Sequence, residues 1–153
     1  MNAKDQSRSG ENLSLNTNSS GSFVIDTFAW VEYLIGSKAG KVAKDYIDGG
    51  NSLTPSIVIV ELRKWYLKEI EASRRDEQEM QKHFAFIESA SRIVPLDMAL
   101  SLEAGQTDFM MKKRIKNWPI ADSIVYATAR SRRAQVISGD PHFKGLEGVI
   151  FIG

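Results

Sequence analysis

The stretch SIVIVELRKWYLKEI, residues Ser56 to Ile70, can be read two ways, and the choice decides the fold. Its β-branched run, Ile57 to Val60, has the propensity of a strand. Its length, and the spacing of Ile57, Val58, Glu61, Leu62, Trp65 and Tyr66, match one face of a helix, with Ser56 as N-cap. We adopt the helix. Strands and helices then alternate along the chain, which is the pattern of an α/β domain with a parallel sheet.

Upstream, NSLTP reads as a strand closed by Pro55, set off by the break at Gly49 and Gly50. SFVI, residues 22–25, is a short apolar strand. TFAWVEYLI follows as a helix with apolar residues Phe28, Val31, Leu34 and Ile35, ended by Gly36. Residues 38–48 add a further turn or two, with Val42, Tyr46 and Ile47 facing inward. Downstream, residues 76–91 form a helix with Met80, Phe84 and Ile87 on one face, and RIVPL is a third strand. Asp97 caps a helix over roughly 98–113. NWPIADSIVYATARSRR opens a helix near Pro119, with Ile120, Ile124 and Ala127 as its buried stripe. AQVIS is a fourth strand, GDPHF a turn and GVIFI a fifth strand.

The 153 residues suit one domain, and a composition of 42% hydrophobic and 25% charged residues supplies an ordinary core. A net charge of +1 means that a nucleic-acid binder would have to segregate its basic residues on one face. With no cysteine, disulfides, Cys-ligated metals and a cysteine nucleophile are excluded, in keeping with a reducing cytoplasmic location. No apolar run is long enough to span a bilayer, and none forms the core of a signal peptide. Residues 1–21, rich in Ser, Asn and Gly, cannot bury enough apolar area to order themselves and read as a disordered tail or tag. The domain proper is 22–153.

The acids fall in a pattern. In an open parallel sheet, ligands bind at the carboxyl ends of the strands. Asp26 ends the first strand and Asp140 follows the fourth. Glu61 and Asp122 lie early on helices whose N-termini reach the same edge. Each has an ordinary reading: Asp26 as a cap, Asp122 as a partner of the helix dipole, Asp140 as turn chemistry. Glu61, among Ile57, Val58, Ile59, Val60 and Leu62, is harder to dismiss. Four carboxylates at one rim repel one another unless a cation joins them, and oxygen ligands suit Mg²⁺ or Mn²⁺. Such an ion activates water and clamps a phosphodiester without a histidine base.

Thr27 and Ser138 set hydroxyls beside these acids. His142, two residues past Asp140, can touch substrate or have no role, and His83 reads as solvated. GSKAGK, Gly36 to Lys41, is too short for a phosphate-binding loop and has Val42 where a hydroxyl is required. No G-x-S-x-G elbow occurs. Lys112, Lys113, Arg114 and Lys116, leading into the Asp122 helix, are the best candidates for contacting nucleic-acid phosphates.

FVIDTFAW, SIVIVELRKW, PIADSIVYATAR and VISGDPHFKGL resemble, in order and spacing, the four blocks of PIN-domain ribonucleases, and most closely the VapC-type toxins of type II toxin–antitoxin systems. The resemblance covers residues 22–153. It implies a single PIN-like domain, with a five-stranded parallel sheet in order 3-2-1-4-5 flanked by helices. It also implies a Mg²⁺- or Mn²⁺-dependent endoribonuclease with Asp26, Glu61, Asp122 and Asp140 as catalytic, metal-holding acids. RNA as substrate (tRNA or rRNA), a cognate antitoxin and a homodimer come with it. Ser138 replaces a frequent Thr, and residues 1–21 have no counterpart. A PIN nuclease of RNA processing or quality control, and a non-catalytic RNA- or protein-binding module, are the alternative readings.

Overall fold

The computed structural model of the chain describes residues 21–153, so the expected tail, apart from Gly21, lies outside the described residues. Five parallel strands form one sheet in the order β3-β2-β1-β4-β5. The strands are β1 (Phe23–Ile25), β2 (Ser52–Pro55), β3 (Arg92–Val94), β4 (Gln135–Ser138) and β5 (Val149–Phe151). Six helices connect them: α1 (Thr27–Ile35), α2 (Lys38–Ile47), α3 (Ser56–Glu71), α4 (Glu77–Ala90), α5 (Met98–Met111) and α6 (Ile120–Ser131). A 3₁₀ turn over Pro141–Phe143 follows β4. No helix among the described residues is long and apolar enough to cross a membrane.

The central strands show why the sheet is buried on both faces. Val24 and Ile25 of β1, and Val136 and Ile137 of β4, are fully buried, so these strands are continuous apolar runs instead of alternating ones. Ile25 pairs with Ile137 and Val24 with Leu53, which sets β1 between β2 and β4. The ambiguous stretch is a helix, as expected. Val58, Leu62 and Tyr66 recur at helical spacing on its buried side, while Val60 faces out at 61% exposure. Pro55, not Ser56, stands at the N-cap, and no side chain caps that end. Ser56 is the first helical residue because Pro55, with its ring-fixed φ of −59°, turns the chain directly out of β2.

Two expected inward residues, Val42 and Ile120, face outward at 45% and 52% exposure, and Ile35 of the apolar α1 spacing is 45% exposed. On α1 the sheet-facing residues are Ala29 and Trp30, and the indole N–H donates to Thr54 Oγ1 at 3.0 Å. Thr54 in turn shares a hydrogen bond of 2.7 Å with Ser91, which ties α1, β2 and the end of α4 together. On α2 the buried positions are Gly40, Ala43 and the expected Ile47, and the small Gly40 and Ala43 let two helix backbones meet. On α6 nearly every residue from Asp122 to Ala129 is buried, so its exposed positions lie at the two ends, Ile120 at the start and Arg130 and Ser131 at the finish. His83 is not simply solvated, since its Nδ1 is hydrogen-bonded to the Tyr66 hydroxyl between α3 and α4. Asp97 caps α5 as expected, accepting from the Leu100 N–H at 2.9 Å.

Two glycines matter to the α1–α2 corner. Gly36 ends α1 at φ 71°, where its N–H reaches the Glu32 and Tyr33 carbonyls. A Cβ on Gly40 would come within 2.0 Å of the Glu32 carbonyl oxygen, and backbone cannot swing aside as a flexible side chain can. Gly40→Ala should therefore destabilise the fold by about 1–3 kcal/mol, read as a lower denaturant midpoint at unchanged m-value.

Candidate metal centre

Parallel topology brings the carboxyl ends of β1, β2 and β4 to one edge, and the four acids arrive there from four elements. Asp26 follows β1 directly. Glu61 lies in the second turn of α3, which leaves β2 without a loop. Asp122 lies in the first turn of α6, and Asp140 two residues beyond β4. All four, with Thr27, Phe28, Val31 and Glu32, line one cleft of ≈ 270 Å³.

The cap reading of Asp26 does not hold. Asp26 occupies the N-cap position of α1 in extended backbone, yet its side chain makes no capping bond. It accepts instead from the buried Ser138 hydroxyl at 2.6 Å, across 112 residues of sequence. That hydroxyl also accepts the Asp140 N–H at 3.1 Å. Thr27 Oγ1 donates to Glu61 Oε2 at 2.5 Å. Both expected supporting hydroxyls thus hold acids of the cleft. Asp140 Oδ1 accepts the His142 N–H at 2.8 Å, ordinary turn chemistry that leaves its other oxygen free of that bond.

His142 packs against two of these acids. Its Nδ1 lies 3.1 Å from Asp122 Oδ2 and 3.2 Å from Asp140 Oδ1. Ligand atoms from Asp122, Asp140 and His142 all fall within 4.8 Å of one another, a spacing that one metal ion can bridge. Asp122 Oδ2 and His142 Nδ1 are the buried side-chain polar atoms left without a hydrogen-bond partner among the described residues. An orphaned buried oxygen in an acid-lined cleft fits a divalent cation, which removes the unmet demand.

Burial and repulsion leave their mark on two of the acids. Asp26, 4% exposed, is pushed up to about 6 by desolvation, held back by the Ser138 hydroxyl and raised again by Glu61 and Asp140. Asp122, 7% exposed, is pushed up to about 8, first by desolvation and then by the charges of Asp26, Asp140 and Glu61. These groups resist ionisation because burial disfavours their charged forms and the neighbouring acids repel them.

The basic residues sit elsewhere. Lys112, Lys113, Arg114 and Lys116 are all exposed in the loop from α5 to α6, and none lines the acidic cleft. Lys112 pairs with Asp108 at 2.7 Å, and Lys113 Nζ stands 3.9 Å from the Phe109 ring centroid. Arg114 lines a separate groove with Tyr126 and Arg130. The loop is anchored by buried Trp118, which donates to Ser123 Oγ at 2.7 Å; Ser123 passes the bond to Asp108 Oδ1 at 3.0 Å. Sequence reasoning missed Phe28, Val31 and Glu32 as cleft residues. Their signal was present, since positions 28, 31 and 32 share one helical face just past Asp26.

A family model for the PIN domain matches residues 23–149. No curated protein matches the sequence closely enough to count as a relative. Several solved structures share the fold at low identity. A toxin–antitoxin complex from Klebsiella pneumoniae has a chain 18% identical, with a TM-score of 0.66 over 86% of this chain and 98% of that one. VapBC2 from Rickettsia felis, bound to a DNA fragment from its promoter, is 17% identical with a TM-score of 0.64, covering 84% and 96%. The sarcin–ricin-loop-cleaving toxin VapC20 of Mycobacterium tuberculosis is 18% identical with a TM-score of 0.64, covering 84% and 97%.

The raised acids set a pH dependence for the metal-free protein. Below about 4 both carboxyls are neutral in the folded and the unfolded chain. As pH rises from there towards about 6 for Asp26 and about 8 for Asp122, the unfolded chain ionises first, so the native state binds more protons and stability falls. Metal-free protein should be measurably less stable to denaturant at pH about 8.5 than at about 5. Asp122→Asn should flatten the decline and stabilise the metal-free protein at the higher pH by about 1–3 kcal/mol.

Proposed function

This chain belongs to the PIN-domain family, whose members are nucleases, and we propose that it is a metal-dependent endoribonuclease and the toxin of a toxin–antitoxin pair. The observation that carries the nuclease reading is the convergence of Asp26, Glu61, Asp122 and Asp140 on one cleft, with a buried Asp122 oxygen that nothing among the described residues satisfies. A non-catalytic module has no need of four mutually repelling acids, two of them buried against their own ionisation.

In this reading the carboxylates of Asp26, Glu61, Asp122 and Asp140 hold Mg²⁺ or Mn²⁺. When bound, the cation supplies Lewis-acid polarisation of a phosphodiester and lowers the pKa of water at the site. The chain's own residues do the rest. The Ser138 hydroxyl fixes the Asp26 carboxylate, and the Thr27 hydroxyl fixes Glu61, so that neither rotates out of the cleft. Phe28 and Val31 form its apolar wall and limit water around the reacting phosphate. The exposed basic loop leads straight into the Asp122 helix, which supports it as the track for RNA phosphates.

The toxin assignment draws on the neighbours, several of which are toxin–antitoxin complexes; one is a toxin described as cleaving the sarcin–ricin loop of RNA. By analogy the substrate is a structured RNA such as tRNA or rRNA, the partner a cognate antitoxin, the assembly a homodimer and the location the cytoplasm. Maturation or quality control of RNA is the competing role for the same chemistry.

Purified protein should cut structured RNA only with Mg²⁺ or Mn²⁺ present. Asp26→Asn should lower the single-turnover cleavage rate by about 100-fold or more at unchanged fold, and cleavage that persists in EDTA would sink the mechanism. Lys113→Glu with Lys116→Glu should weaken RNA binding and reduce the slope of log affinity against log salt by about two, with the bound-state cleavage rate little changed.

A further inference from the structure

His142 stands against two acids of the cleft, Asp122 and Asp140, without belonging to the carboxylate quartet. Its Nδ1 and Asp122 Oδ2 are both buried, lie 3.1 Å apart and still form no hydrogen bond. Both atoms are left without a hydrogen-bond partner, and with an oxygen of Asp140 they lie close enough together to share one neighbour. With Asp122 only 7% exposed, bulk water does not meet the need of its oxygen. Leaving such atoms unpaired is unfavourable, and an ion beside them removes the penalty.

The spacing suits a six-coordinate ion. Ligands about 2.1 Å from such an ion stand about 3.0 Å apart along an octahedral edge. Nδ1 stands 3.1 Å from the Asp122 oxygen and 3.2 Å from the Asp140 oxygen. The ring is also held ready. Its backbone N–H is bound to Asp140 Oδ1, its neighbour Phe143 is fully buried, and the Trp118 ring packs at 67° with centroids 6.1 Å apart. A substrate contact would have to use another atom of the ring, which is 31% exposed, because Nδ1 itself is buried.

We infer that His142 donates its Nδ1 lone pair to the divalent cation held by Asp122 and Asp140, and that this nitrogen ligand biases the site towards Mn²⁺ over Mg²⁺. The inference rests on the metal-site reading given above. Imidazole is a good ligand for first-row transition ions, whereas Mg²⁺ takes oxygen almost exclusively. An all-carboxylate cleft would discriminate less between the two.

The test is pulsed electron paramagnetic resonance of the Mn²⁺-loaded protein. Wild-type protein should show modulation from a directly bound ¹⁴N, which changes to the ¹⁵N pattern when histidine alone is ¹⁵N-labelled. The chain has two histidines, and the other, His83, is engaged with Tyr66 on α3. Calorimetry should find Mn²⁺ affinity about tenfold weaker in His142→Gln, with Mg²⁺ affinity changed less than about threefold. Mn²⁺ that binds wild type, is lost in Asp122→Asn, yet shows no histidine nitrogen would overturn His142 ligation and leave the carboxylate site standing. Equal losses of Mn²⁺ and Mg²⁺ affinity in His142→Gln would overturn the metal preference. Wild-type protein that binds neither ion would overturn both this assignment and the metal-site reading beneath it. The labelling experiment needs no variant, so it does not depend on how His142→Gln folds.

Discussion

Two aspartates buried beside one another, Asp26 and Asp122, set the terms for the rest of this structure. Each is more than nine-tenths buried, and each is pushed upward in pKa by desolvation and by its acidic neighbours. A fold optimised for stability alone would replace them with apolar or amide side chains. Instead the chain builds a scaffold that holds them apart from solvent. It brings four acids to one cleft, the arrangement that the proposed binding of a divalent ion requires.

The sheet makes that arrangement possible. Parallel strands put every carboxyl end on one edge, and β1 lies in the middle of the order with β2 and β4 on either side. Residues distant in sequence therefore become neighbours, as the Ser138–Asp26 hydrogen bond illustrates. Rigid elements carry each acid: a strand end, two helix first or second turns, and a tight 3₁₀ turn. The Trp30–Thr54–Ser91 chain locks α1 to the sheet behind the site, and the Trp118–Ser123–Asp108 chain locks the approach to α6. These buried polar networks are fully paired, which suits a site whose geometry must not drift.

The order and type of the elements were legible because each has a distinct period: short apolar runs for strands and longer helical spacings between them. Even the ambiguous Ser56–Ile70 stretch yielded to spacing over propensity. Individual faces were harder. Val42 and Ile120 look like core residues by hydrophobicity, but α2 buries its small residues to reach α1, and α6 is enclosed almost all round. Trp30 was overlooked because its burial depends on an acceptor, Thr54, from a different strand. The meeting of the four acids at one cleft could be read because each followed a strand or opened a helix. The situation of His142 could not be, since the spacing of GDPHF says nothing of Asp122, which reaches the imidazole from a helix some twenty residues upstream.

The central claim is that the four carboxylates share a divalent ion. Diffraction from crystals soaked in Mn²⁺, collected on both sides of the manganese absorption edge, tests it most directly. A strong anomalous peak should lie in the cleft, within coordinating distance of oxygens from Asp26, Glu61, Asp122 and Asp140. Well-ordered carboxylates with no peak between them, or with Mn²⁺ only at other surfaces, would contradict it.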